Sequence, residues 1–261
     1  MSSARALELH SMILNDAVDT WDDWKVVSLK KPVFNEPELK EDYVDVPGSN
    51  GSLDMSEVLT GYPLFENRHG TLQFFLYDDS LTANTKLTKI RNYLHGRKHK
   101  IILNDEPEYY YVGRLMMHES HPTTEGEYAV FDLEYNLEPY KYEVAASDED
   151  WLWDPFNFET GVIRDYRNIE VFEEEFTTVT VIGSPKPTVP IFIVEKVGTG
   201  HVDDGGTWFP VQLMIEGDGT IYGLKEGTNV IPKIVLHNQE YELKFTNNDA
   251  NVTIRYRGGA L

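Results

Sequence analysis

Two segments near the C-terminus alternate apolar and polar residues with a period of two. Tyr241, Leu243 and Phe245 fall on one side and Glu242 and Lys244 on the other, and Val252, Ile254 and Tyr256 oppose Thr253 and Arg255 in the same way. Successive side chains of a strand point to opposite faces, so each segment reads as a strand with one buried and one wet face. A pattern of this kind constrains the fold more than any other feature of the chain. It calls for antiparallel sheet with a second apolar layer against its dry side.

The rest of the chain follows the same chemistry. Leu72–Tyr77, Ile101–Leu103, Tyr109–Leu115 and Tyr128–Leu137 read as strands in the first half, and Ile191–Val197, Val211–Ile215 and Lys233–Leu236 in the second. Turn signals separate them: EGDGT at 216–220 suits a tight hairpin, and DDGG at 203–206 accepts positive φ. One helix is expected, from Leu81 to Leu94. Leu87, Ile90 and Leu94 share a face, Asp79 or Ser80 can cap the start, Gly96 follows the end, and Arg91, Arg97 and Lys98 suit the dipole. The small, acidic VAASDED between Tyr142 and Trp151 has linker composition. The sequence therefore predicts a mainly β protein: a β-rich domain with one α-helix over 1–145 and a β-sandwich over 146–261.

With 261 residues, 41% hydrophobic and 12% aromatic, the chain has enough apolar material for real cores, which disordered chains lack. Cysteine is absent, which excludes disulfides, thiolate metal ligands and cysteine nucleophiles. A formal net charge of −21 repels nucleic acid and anionic membrane, so specific nucleic-acid binding and membrane insertion are not expected. Its ordinary use is solubility; a sharper use is an acidic channel through which DNA slides without sticking. The start, MSSARALELHSMIL, lacks the apolar run of a signal peptide, and no stretch of ~18 apolar residues occurs, so a soluble protein made in the cytoplasm is expected.

Few residues suggest chemistry, and no catalysis and no cofactor are expected. GSNGS at 48–52 lacks the strand-to-helix context of a nucleophile elbow and reads as a turn. KVGTGH is no phosphate loop, and NNDAN from Asn247 lacks the Gly and Glu of a calcium loop. His95 and His99, and His118 and His121, have ligand spacing, but Gly96 and Pro122 interrupt them, so they read as exposed loop and hairpin histidines and no metal is expected. Glu173, Glu174, Glu175, Asp203 and Asp204 can in principle furnish a glycosidase pair, but like-charge runs are usually solvated, as are Asp148, Glu149 and Asp150. Trp208 and Phe209, after the DDGGT turn, serve either packing or stacking on a sugar. Arg97, Lys98, His99 and Lys100 either protect a strand end from aggregation or take part in subunit pairing.

A series of short motifs gives a further reading. TWDDW (20–24), KPVFNEP (31–37), YVDVPGSNGSLDMSEVLTG (43–61), FENR (65–68), NYLHG (92–96), DEPEYYYVGR (105–114), LEPYKY (137–142), DWLWDPFNFETGV (150–162) and YRGGAL (256–261) follow one another in order. In this series the chain resembles the distal tail protein (Dit) family of siphophages, across nearly its whole length. Residues 1–10 match nothing in that family, and the second half matches mainly at its two ends.

The resemblance implies a structural component of the virion at the distal end of a phage tail, assembled in the bacterial cytoplasm. Its N-terminal belt domain would form a homohexameric ring, and its C-terminal domain would be a galectin-like or carbohydrate-module-like β-sandwich on the periphery. Such a ring joins the tail tube protein to the tail-associated lysin, hub or fibre protein below and lets DNA pass; rings can also stack. In the alternative reading, the C-terminal domain acts in host adhesion by docking a receptor-binding protein or a surface glycan. Within the belt, Pro47, Gly48 and Gly51 are expected to shape a projecting loop, with Leu53 and Met55 as its apolar anchor and a neighbouring subunit as its partner. Arg68 and Arg114 are expected either to pair with carboxylates across that interface or to form internal ion pairs.

Overall fold

The structure, a computed structural model, describes residues 10–28, 30–77, 83–122, 128–149, 164–198, 210–217 and 219–261. The protein is mainly β, with one helix among the described residues. It divides into two compact units, Met1–Lys141 with Leu261, and Tyr142–Ala260.

The first unit contains β1 (Met12–Leu14), β2 (Val18–Asp19), β3 (Val26–Ser28), β4 (Tyr43–Asp45), β5 (Ser52–Asp54), β6 (Arg68–Tyr77), α1 (Ala83–Leu94), β7 (Lys98–Leu103), β8 (Glu106–Pro122) and β9 (Tyr128–Leu137). Its main sheet runs β2-β1-β7-β8-β9-β6-β3, while β4 and β5 pair only with each other. Helix α1 packs against β8. Ala83, Leu87, Ile90 and Leu94 are its buried residues, spaced as the 3.6-residue period requires, and they join Phe74, Leu76, Leu115, Phe131 and Leu133 in one core. Gly96 ends the helix at φ +75°, the left-handed conformation that a glycine cap supplies. The proposed caps Asp79 and Ser80, and Leu81, lie outside the described residues.

The second unit contains β10 (Lys141–Glu143, whose first residue closes the first unit), β11 (Ile169–Val171), β12 (Thr177–Ile182), β13 (Ile191–Glu195), β14 (Val211–Ile215), β15 (Ile221–Leu224), β16 (Gly227–Val230), β17 (Glu240–Thr246), β18 (Ala250–Arg255) and β19 (Gly259–Ala260). Two four-stranded sheets, β11-β18-β13-β16 and β12-β17-β14-β15, share one core. The alternation at β17 and β18 is realised there, since Leu243, Phe245, Val252 and Ile254 are fully buried. The β14–β15 hairpin turns through Gly217 at φ +86° and Gly219 at φ +67°.

Three expectations need correction. Lys233–Leu236 is not a strand: Pro232 precedes it, and only the bridge Leu236↔Thr188 is sheet-like, although Ile234 and Leu236 are buried. Hydrophobic alternation marks burial, and burial does not require a ladder. The acidic run at 148–150 is not solvated at Asp148, whose side chain is only 8% exposed. Ser147 is buried, its hydroxyl donating to the Ile254 carbonyl at 2.9 Å and accepting from the Tyr256 N–H at 2.8 Å, and Asp148 and Glu149 pair with Arg255 and Arg257. His99 is not an exposed loop histidine either. It is buried in β7, where Nε2 lies 3.1 Å from the Leu94 carbonyl and Nδ1 lies 3.0 Å from the Asn15 side-chain nitrogen. A carbonyl only accepts, so Nε2 carries the proton and Nδ1 accepts from the amide.

Phe245→Ala should destabilise the second unit by about 3–5 kcal/mol, because a fully buried ring leaves a cavity, whereas Val230→Ala at an exposed position should stay within about 0.5 kcal/mol. Urea unfolding of the two variants against the wild type checks both.

Candidate functional site

The described residues contain no group of three or more His, Asp or Glu able to hold a metal ion. Glu173, Glu174 and Glu175 lie exposed between β11 and β12, and Asp203, Asp204, Trp208 and Phe209 lie outside the described residues. His118 contacts Glu134 on the exposed face of β8 and β9. The feature that stands out is instead a surface arm between Glu38 and Glu66, bounded by a buried root.

The root is built on Arg68, the first residue of β6, which is only 2% exposed. Its Nε donates to the Pro139 carbonyl at 2.8 Å and its Nη1 to the Asn35 carbonyl at 2.9 Å, with the Glu36 carboxylate 3.5 Å away. Nη2 has no hydrogen-bond partner; the Tyr111 ring lies under the guanidinium, 5.7 Å to its centroid, and offers its π face. Asn35 is held from two further directions. Its N–H donates to the Tyr135 hydroxyl at 2.8 Å, and its side-chain nitrogen donates to the His69 carbonyl at 2.8 Å. Phe34 is buried edge-on between Tyr111 and Tyr135, at 4.7 and 4.8 Å between centroids. Burial, and then the Glu106 carboxylate that accepts from it at 2.9 Å, hold the Tyr111 phenol far above its ordinary range, so the ring stays neutral beside the guanidinium.

From this root two legs run side by side. The Glu66 N–H donates to the Glu38 carbonyl at 2.7 Å, the Lys40 N–H to the Leu64 carbonyl at 2.8 Å, and Leu39 bridges Phe65. Further out, Met55 N–H donates to the Asp42 carbonyl at 2.7 Å, and β4 and β5 pair in the register Tyr43↔Asp54, Val44↔Leu53, Asp45↔Ser52. The tip turns through Gly48 at φ +84° and Gly51 at φ +75°, so GSNGS is a hairpin loop with no nucleophile geometry. Asp54 is held below the usual carboxylate range by the Ser56 hydroxyl, at 2.6 Å, and by the Ser56 N–H.

The arm buries little of its apolar surface. Tyr43, Val44, Val46, Leu53, Val58 and Leu59 are all exposed, Leu59 at 98%. Isolated exposed leucines are ordinary on a monomer, but a run of large apolar side chains along one projecting hairpin has the composition of an interface. Pro47, Gly48, Gly51 and Leu53 lie in it and are exposed, and Met55 is half-buried. Arg68 does not present itself to a neighbour, since its guanidinium is enclosed and its partners are internal. Arg114 is exposed on β8, and its Nη1 donates to the Gly96 carbonyl past the end of α1. Sequence reasoning missed the root: KPVFNEP and FENR were visible as motifs, but nothing in either shows that Asn35 and Arg68 meet.

No protein-family model matches the chain, and no curated protein matches it. Among solved structures, the SPP1 Dit protein, described as a paradigm of the hub adsorption apparatus in phages infecting Gram-positive bacteria, matches with a TM-score of 0.53 at 12% identity. The alignment covers 96% of this chain and 99% of that one. At that identity the likeness is one of fold, and it runs through both units.

Gly70 tests the root. A Cβ there would lie 2.3 Å from the Tyr135 hydroxyl oxygen and 2.8 Å from the Asn35 side-chain nitrogen. Gly70→Ala should loosen the arm, seen as faster proteolytic cleavage between Glu38 and Glu66 with the rest of the fold intact. Arg68→Ala should cost about 3 kcal/mol by stranding buried carbonyls, measured by thermal unfolding.

Proposed function

We propose that this chain is a structural component of the distal end of a phage tail, in which copies close a ring, probed by six-fold symmetry, between the tail tube and the hub or fibre protein. The observation that carries this is the fold likeness to SPP1 Dit over nearly the whole of both chains, joined to an exposed apolar arm that one copy alone leaves uncovered. The first unit forms the ring, and the second stands at its periphery, where a receptor-binding protein or a surface glycan is its partner. A heterologous contact repeated around a closing rotation is self-limiting, and it covers each arm with the next copy. Catalysis has no part in this role, and the strongly acidic chain suits a passage for DNA.

Purified protein should sediment as a large oligomer whose electron micrographs show six-fold rings with an opening wider than duplex DNA, roughly 20 Å. Protein that remains monomeric at every concentration, with tail-tube and hub proteins added, overturns the reading. Gly48→Val should impair ring formation more than it lowers the melting temperature, because Gly48 holds φ +84° in an exposed turn where an added Cβ would meet nothing within 4 Å. Equal sedimentation of variant and wild type would assign the turn no part in assembly.

A further inference from the structure

The chain is acidic, yet its charge is sharply sorted within the first unit. From Glu36 to Glu66 every charged residue except Lys40 is acidic, and from Ala83 to Leu103, which spans α1 and β7, every charged residue is basic. The Lys40 side chain lies 3.9 Å from Glu66, so the outer part of the arm, Glu41 to Glu57, carries carboxylates alone. On the basic side, Lys98 pairs with Glu138 and Lys100 with Asp16. Among the described residues no carboxylate pairs with Lys89, Arg91 or Arg97. Lys89, His95 and Arg97 are exposed, on and just beyond the helix surface opposite Leu87, Ile90 and Leu94.

We infer that the basic outer face of α1, with Lys89 and Arg97, is the surface on which the acidic arm of a second copy docks. This contact presupposes the ring proposed above and gives it its handedness: arm of one copy, helix of the next. Two features of the arm fit the role together. Its apolar residues, Tyr43, Val44, Leu53, Val58 and Leu59, supply area to bury, and Glu41, Asp42 and Glu57 beside them supply the charge opposite to that of the helix. Complementary charge of this kind steers encounter and sets orientation, while apolar burial supplies the affinity. A polyanion such as DNA is the poorer occupant of the helix face, because the remainder of the chain repels it. Exposed pairs are screened over about 8 Å at physiological salt, so assembly should slow as salt rises.

The test uses two charge-reversed forms of the full chain: an arm variant, Glu41→Lys with Glu57→Lys, and a helix variant, Lys89→Glu with Arg97→Glu. All four side chains are exposed, so both should melt with the wild type. Each alone should stay monomeric in analytical ultracentrifugation at concentrations where the wild type assembles, with at least a tenfold loss of association. Mixed in equal amounts they should assemble again, because the lysine-bearing arm of one meets the glutamate-bearing helix of the other, and the unchanged arm of the second meets the unchanged helix of the first. Alternation of the two around an even-numbered ring satisfies every contact.

Assembly of either variant alone, or a mixture that stays monomeric while the wild type assembles, overturns the contact and leaves the ring reading standing. Retention of duplex DNA by the wild type and not by the helix variant, with both forming rings, overturns it in favour of a nucleic acid on the helix. Wild type that never assembles overturns the ring and the contact together.

Discussion

The guanidinium of Arg68 ties two otherwise separate parts of the first unit to one point. A buried cation is costly unless its hydrogen bonds are met, so each group that meets them is fixed in turn. The Asn35 and Pro139 carbonyls are positioned by Nη1 and Nε, and the Tyr111 ring closes the remaining side. Asn35 then places the chain entering the arm, through Tyr135 and the His69 carbonyl, and Gly70 leaves the space in which that hydroxyl sits. The arm is largely exposed but not loosely attached, because its two ends meet at this one polar cluster.

The buried cores and the exposed arm are separated in space as a result. The cores of the two units are ordinary sheet cores, built mainly of Leu, Ile, Val and Phe. The arm contributes little apolar burial to its own unit and leaves Tyr43, Val44, Val46, Leu53, Val58 and Leu59 exposed. A hairpin alone is marginal in water, so its rigidity must come from the root. Charge is sorted within the same unit, acidic along the arm and basic along α1 and β7.

Much of this was legible in the residues. The alternation in β17 and β18, the amphipathic helix with its glycine stop, and the glycine turn at Gly48 and Gly51 depend on spacing and composition, which sequence carries directly. Errors fell where spacing was ambiguous. Ile234 and Leu236 alternate as a strand does but serve an irregular buried segment, and His99 reads as one of four polar residues in a row while its position in β7 turns it inward. A period of two says which residues face in, but not whether a neighbouring strand is there to pair.

By itself, the sequence determined that the chain is mainly β with two cores, that thiol chemistry is excluded, and where the arm turns, since each follows from local preference or composition. Only the tertiary structure decided the role of Arg68. The choice between an internal pair and an interface charge depends on whether the Asn35 and Pro139 carbonyls and the Tyr111 ring come together around it. Those groups lie 33 and 71 residues from Arg68 in the two hydrogen bonds, a closure set by the packing of the whole unit and by no local rule. The same holds for the arm: the turn at Gly48 and Gly51 is local, but the exposure of Val44, Leu53, Val58 and Leu59 depends on how the whole unit packs.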